Sequence, residues 1–232
     1  MYPTGPRLAL TLLLSLPPAV AAQSAAPWSV QVSTIANFNT FCCGGTPYGG
    51  EAQVRYTTGA FSFGGGLQYL AGSDRFGEFA VSTFEIDDEA WDESVSFIGM
   101  FFEPRWVYAA SDRAAGYLSS RVSASRMKFE DRYAAAYCED ETADPAICLR
   151  VEVDEESSFT GLGLTANLGG GVLIRLTDAV NLDFGATGGI QLYPEGAGSF
   201  RDVQTGTLDE FSSSETVLNV VVRLGFAIGV GR

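Results

Sequence analysis

Seven charged residues stand in segments that otherwise alternate apolar and polar side chains: Arg55, Glu103, Arg105, Arg121, Arg175, Asp183 and Arg223. Alternation puts all seven on the polar face of a sheet. Charges taken out of water persist only as hydrogen-bonded pairs, so the chemistry on offer is an ion-pair network. A tight hairpin at Asp178-Ala179 would set Arg175 opposite Asp183, and the hairpin around Asp112 would bring Glu103 opposite Arg121. The functional rival is an ion path or gate built from the same charges.

Catalysis finds little to work with. The 232 residues include no His, which removes imidazole bases, His metal ligands and Ser-His-Asp triads. The run Asp87-Asp88-Glu89 with Asp92 and Glu93 could draw a divalent cation, but it has neither the EF-hand spacing nor its turn glycine. It reads as a solvated anionic loop, as do Glu139-Asp140-Glu141 and Asp154-Glu155-Glu156. No nucleophile or substrate cleft can be named for these carboxylates, so no catalytic residue, metal site or cofactor is expected. An excess of 28 acids over 14 Lys and Arg, for a net charge of -14, also excludes a nucleic-acid partner.

Thiol chemistry depends on compartment. Residues 1–22 carry Arg7, the apolar stretch LALTLLLSLPPAV and the small-residue site Ala19-Val20-Ala21, the pattern of a secretory signal peptide cleaved after Ala21 or Ala22. The apolar run is too short for a spanning helix and is broken by Pro17-Pro18. Export leads through an oxidising space, where Cys138 can pair with Cys148, or Cys42 and Cys43 can cross-link to that pair. A bond between the adjacent Cys42 and Cys43 is strained, so these two could also stay as thiols.

The elements that position these residues have a period of two. In 180–193 the even positions run Val180, Leu182, Phe184, Ala186, Gly188, Ile190 and Leu192, against Asn181, Asp183, Thr187 and Gln191 among the odd ones. Segments 158–176 and 216–230 keep the same parity, which no helix would sustain. The template gives further strands near 28–38, 51–57, 60–70, 94–109 and 115–129, eight in all. Short connections at 58–59, 111–114 and 178–179 alternate with long ones at 39–50, 71–93, 130–157 and 194–214. An even number of antiparallel strands with short turns at one end and long loops at the other is the layout of a transmembrane β-barrel, one domain over 23–232. Pro104 removes a ladder donor in the fourth strand, and a local bulge is expected there.

Charge sorts the same way. With Glu51 and Glu215 counted in the loops they adjoin, the four long connections hold 24 acids against Arg75, Arg132, Arg150 and Arg201, a net of -20. A water-soluble barrel would show equal alternation with its apolar side inward. Here the polar face carries Gly, Ser, Asn, Gln and Arg, and the chain has a single lysine, Lys128. Small residues with a few arginines suit a crowded interior, so the apolar face is read as outward. That reading gathers Trp28, Tyr56, Phe61, Phe63, Trp106, Tyr108 and Tyr117 toward the short turns, and Phe38 and Tyr69 toward the loops, as interfacial girdles.

The last segment, Arg223-Leu224-Gly225-Phe226-Ala227-Ile228-Gly229-Val230, resembles the C-terminal β-signal of bacterial outer-membrane proteins in Arg223, Gly225, Ile228 and Val230. With the GGGVLIRLTDAVNLDFG hairpin (169–185) and the eight-strand layout, the chain resembles the OmpA/OmpX-like outer-membrane β-barrel family over 28–231. It departs from the family in ending Gly231-Arg232 rather than in an aromatic residue, and no peptidoglycan-binding segment follows the eighth strand.

The resemblance implies an all-β, closed, eight-stranded up-and-down transmembrane barrel with short periplasmic turns and four long extracellular loops. It further implies the bacterial outer membrane as location. Expected partners are outer-membrane lipids and lipopolysaccharide, the barrel-assembly machinery during insertion and an unidentified ligand of the acidic loops; a monomer is expected. Cation bridging from the acidic loops to lipopolysaccharide phosphate is the alternative to a purely solvated rim. Small outer-membrane enzymes that edit lipid A use a His with a Ser and an acid, and this chain lacks the His. A non-enzymatic structural or surface-interaction role is therefore expected, ahead of a narrow porin-like pore and of a secreted lipocalin-like ligand-binding barrel.

Overall fold

A computed structural model of the chain describes residues 27–39, 46–76, 89–111, 113–137, 150–203 and 205–230. Eight strands follow one another, with no helix among the described residues: β1 (Trp28–Asn39), β2 (Tyr48–Thr58), β3 (Phe61–Phe76), β4 (Glu89–Ala110), β5 (Ala114–Tyr137), β6 (Arg150–Arg175), β7 (Val180–Asp202) and β8 (Leu208–Val230). Each pairs antiparallel with its neighbour in sequence, and β1 pairs with β8, so the sheet closes into a barrel. Closure leaves no edge strand, and every strand gains two ladders.

The period of two is realised with the apolar face outward. On β8 the side chains of Leu218, Val220, Leu224, Phe226, Ile228 and Val230 are all exposed, while Val217, Asn219, Arg223, Gly225 and Ala227 between them are buried. The same holds on β6, where Leu162, Leu164 and Leu168 face out and Thr165 and Asn167 face in. The outer wall is therefore apolar and the lumen mostly polar, the inverse of a soluble barrel.

Three sequence expectations are corrected here. The strands are longer than the alternation alone indicated, up to 26 residues in β6, and much of 130–157 and 194–214 is paired strand rather than loop. The turn after β6 spans 176–179, because the Thr177 hydroxyl accepts from the backbone of Ala179 and Val180 at 3.3 and 3.1 Å. That longer turn sets Arg175 opposite Asn181, and Asp183 opposite Leu173. Pro104 makes no bulge either: the register between β4 and β5 runs unchanged from Phe102↔Val122 to Arg105↔Ser119, and the ladder skips the positions between.

The lumen is filled in layers. Nearest the short turns, Val107, Ala115 and Tyr117 form a small apolar cluster. Above it lies a layer of charges, then a layer of amides and hydroxyls. Higher still, Ile35, Leu70, Val95, Phe97, Met127, Tyr193 and Val217 form an apolar plug, with Phe129, Phe159 and Val221 packed against it.

Candidate functional site

The charged layer is assembled from five strands, β2, β4, β5, β7 and β8. Glu103 on β4 is fully buried and sits at its centre. Arg105 Nε lies 2.7 Å from Glu103 Oε1, and Arg223 reaches both carboxylate oxygens at 2.6 and 3.1 Å. Arg55 donates to the Glu103 carbonyl at 3.2 Å and to Gln53 Oε1 at 2.9 Å. Asp183, also fully buried, takes Arg105 Nη1 at 2.8 Å and the Gln31 amide at 2.6 Å. Arg121 lies 3.7 Å from Glu103 but makes its short bonds elsewhere, to Glu51 at 2.7 Å and to Gln68 at 2.6 Å. Each strand supplies its member from the inward parity, which is why residues far apart in sequence meet.

Six of the seven charged residues marked in the sequence thus come together: Arg55, Glu103, Arg105, Arg121, Asp183 and Arg223. Arg175 does not join them. It lies at the short-turn end opposite Asn181, because of the longer turn at 176–179. Two members escape the sequence reading. Glu51, which in sequence looks like the edge of an acidic loop, is buried inside β2 and bridges Arg121 and, at 3.5 Å, Arg223. Tyr117, expected in the outer girdle, points into the lumen, donates its hydroxyl to Asp183 at 2.7 Å and accepts from Arg223 at 3.0 Å. Its ring also carries the Arg105 guanidinium at 4.3 Å. Both lay within reach of the sequence: parity with Gln53 and Arg55 places Glu51 inward, and parity with Ser119 and Arg121 does the same for Tyr117.

Space for Tyr117 comes from absent side chains. A Cβ on Gly171 or Gly185 would collide with its hydroxyl, so β6 and β7 pass bare beside it. Four guanidiniums and three carboxylates share the layer, leaving one positive charge. Such a cluster can hold strands in register and can repel or retain an ion; it offers no nucleophile, and every carboxylate in it is occupied by a guanidinium.

Above the charges, Asn37, Asn167, Gln191 and Asn219 surround a cavity of about 20 Å³ together with Gln68 and Arg121. That is room for about one water molecule. The plug closes the lumen beyond it. Glu93, expected in an anionic loop, is likewise buried on the inner parity of β4. Among the described residues no three potential ligands gather into a metal site. Of the β-signal positions, Arg223 and Gly225 face inward and Ile228 and Val230 outward. Cys42, Cys43, Cys138 and Cys148, the signal peptide, and Asp87 and Asp88 lie outside the described residues.

No protein-family model and no curated protein matches the chain. Among solved structures it is similar to Neisserial surface protein A, with 14% identity over 90% of this chain and 100% of that one and a TM-score of 0.43. A major outer membrane protein from Thermus thermophilus is similar at 15% identity, 87% and 98% coverage and a TM-score of 0.49. The attachment invasion locus protein Ail of Yersinia pestis, in complex with the heparin analogue sucrose octasulfate, is similar at 12% identity, 87% and 96% coverage and a TM-score of 0.40. The closed pairing of eight strands stands on its own geometry.

Proposed function

We propose that the chain is a non-enzymatic protein of the bacterial outer membrane, a plugged barrel whose short turns lie in the periplasm and whose acidic end meets the outside. One observation carries this reading: the wall is apolar outside and polar inside. A wall with Leu168 72% exposed, among many such residues, is stable only against hydrocarbon. Aromatic side chains support the two interfaces, Trp28, Tyr56, Phe61 and Phe63 exposed toward the short turns and Phe38, Tyr48 and Tyr69 toward the other end.

Lipid phosphates, including those of lipopolysaccharide, find partners at that other end, where Arg126 and Lys128 are exposed on the outward parity of β5. The paired charges and the apolar plug favour a filled barrel over a porin-like pore. The role is then structural or one of surface contact through the loops, with the assembly machinery as partner during insertion and a monomer as the working unit.

The test is membrane fractionation with a heat-modifiable gel shift. The mature protein is expected in the outer-membrane fraction, running faster unheated than boiled. A mature protein that stays in solution without detergent overturns the reading.

A further inference from the structure

Beyond the plug, at the end away from the short turns, the barrel holds a pocket of about 170 Å³ lined by Phe129, Phe159, Tyr193, Phe211 and Glu215. Register builds it. Phe129 on β5 faces Phe159 on β6, and Tyr193 on β7 faces Glu215 on β8. Phe159 and Phe211 both register on Gly198 of β7, and their rings stack with centroids 6.5 Å apart at 17°.

The strand between them is shaped for the rings. β7 carries one residue more than either neighbour between Tyr193 and Gly196, a β-bulge seen from both sides. The extra residue shifts the inward parity from odd to even, which brings Gly196 and Gly198 to the inner face. A Cβ on Gly196 would strike the Phe159 ring, and one on Gly198 the Phe211 ring. Bulges of this kind re-aim side chains beside functional sites.

Four aromatic rings around a space the size of one six-membered ring would suit an apolar ligand. Glu215 changes the chemistry. It is exposed, and no cationic side chain pairs with it among the described residues. Ring faces attract cations, most strongly those whose charge is spread and weakly hydrated, and a carboxylate beside them completes the charge balance.

We propose that this pocket binds a small quaternary ammonium ion, with the rings of Phe129, Phe159, Tyr193 and Phe211 around the methyl groups and the Glu215 carboxylate as counter-ion. The proposal goes beyond the membrane reading, and among the described residues the lining of the pocket comes from β5 to β8.

The test uses the full mature chain folded in octyl glucoside, with the heat-modifiable gel shift as the check on folding. Choline is titrated against its neutral isostere 3,3-dimethylbutan-1-ol and against glycerophosphocholine, with binding read from saturation-transfer NMR of the methyl protons. Choline is expected to bind saturably and at least about tenfold more tightly than the isostere. Glu215→Gln and Phe159→Ala are each expected to weaken choline about tenfold while the gel shift is kept. Glycerophosphocholine as tight as choline assigns the pocket to a lipid head group, and weaker binding assigns it to a free solute. Equal binding of choline and the isostere overturns the proposal, as does choline binding untouched by Glu215→Gln or an absence of saturable binding to the folded protein.

Discussion

Arg223 grips Glu103 through two hydrogen bonds of 2.6 and 3.1 Å although the two residues are 120 positions apart. The pair ties β4 to β8 across the lumen, and neither group has access to water. Removing the Glu103 charge takes the closest partner from the buried Arg223 and leaves it the contacts to Tyr117 at 3.0 Å and Glu51 at 3.5 Å. Glu103→Gln should therefore cost about 3–5 kcal/mol, read as a lower urea midpoint for unfolding from lipid vesicles. The double variant Glu103→Gln with Arg223→Met should recover part of that loss; equal midpoints for all three proteins would mean the pair contributes nothing.

Tyr117 is the hinge between the two halves of the charge layer, since Asp183 and Arg223 both use its hydroxyl. Tyr117→Phe keeps the ring beneath Arg105 and deletes that oxygen. Its expected cost is about 1–3 kcal/mol, because the Asp183 carboxylate loses a donor with no solvent to replace it. Gly185→Ala should disturb the same contact from the other side, with overpacking of about 1–3 kcal/mol. Unfolding midpoints of the two single variants and their combination test whether they act on one contact, in which case the costs do not add.

The facing of the wall can be read from a single charge. Leu224 is exposed near the middle of the outward run on β8, and Leu224→Arg should cost about 2–4 kcal/mol in a bilayer. The same substitution on the exposed face of a soluble barrel would cost almost nothing. Refolding yield and urea midpoint in phosphatidylcholine vesicles give the answer, and an unchanged midpoint would count against a lipid-facing wall.

Electrical silence is expected of the intact protein. The plug of Ile35, Phe97 and Met127 lies beyond the charge layer, so Arg121→Ala, which removes the nearer of the two guanidiniums on Glu51, should leave planar bilayers without discrete openings. Openings in the unmodified protein that widen with Arg121→Ala would instead make the charge layer a gate.

Most of the architecture was legible because a closed wall with an apolar outer face and a crowded lumen imposes one parity on its strands. Val180 to Leu192 displayed it without interruption, and the structure keeps it. Legibility failed where other rules set the geometry. The Thr177 hydroxyl lengthened a turn that Asp178-Ala179 alone would have made tight, moving Arg175 away from Asp183. The bulge in β7 broke the alternation just where Gly, Ser and acids made 194–214 look like loop, and so the aromatic pocket was invisible. Glu51 was hidden by its type, since a carboxylate beside Gly49 and Gly50 reads as rim until its spatial neighbours Arg121 and Arg223 are known.

The seam between β1 and β8 sets a condition on time. Thr34 donates to the Leu224 carbonyl at 3.2 Å across 190 positions of chain, and the whole of β1 waits for that partner. Until the final strand arrives, the nascent ribbon carries two bare, greasy margins, each able to zip onto any other strand it meets. Pairings this remote form slowly. The interval before ring closure is thus the period of greatest hazard, and whatever escorts the chain must cover both margins until they meet.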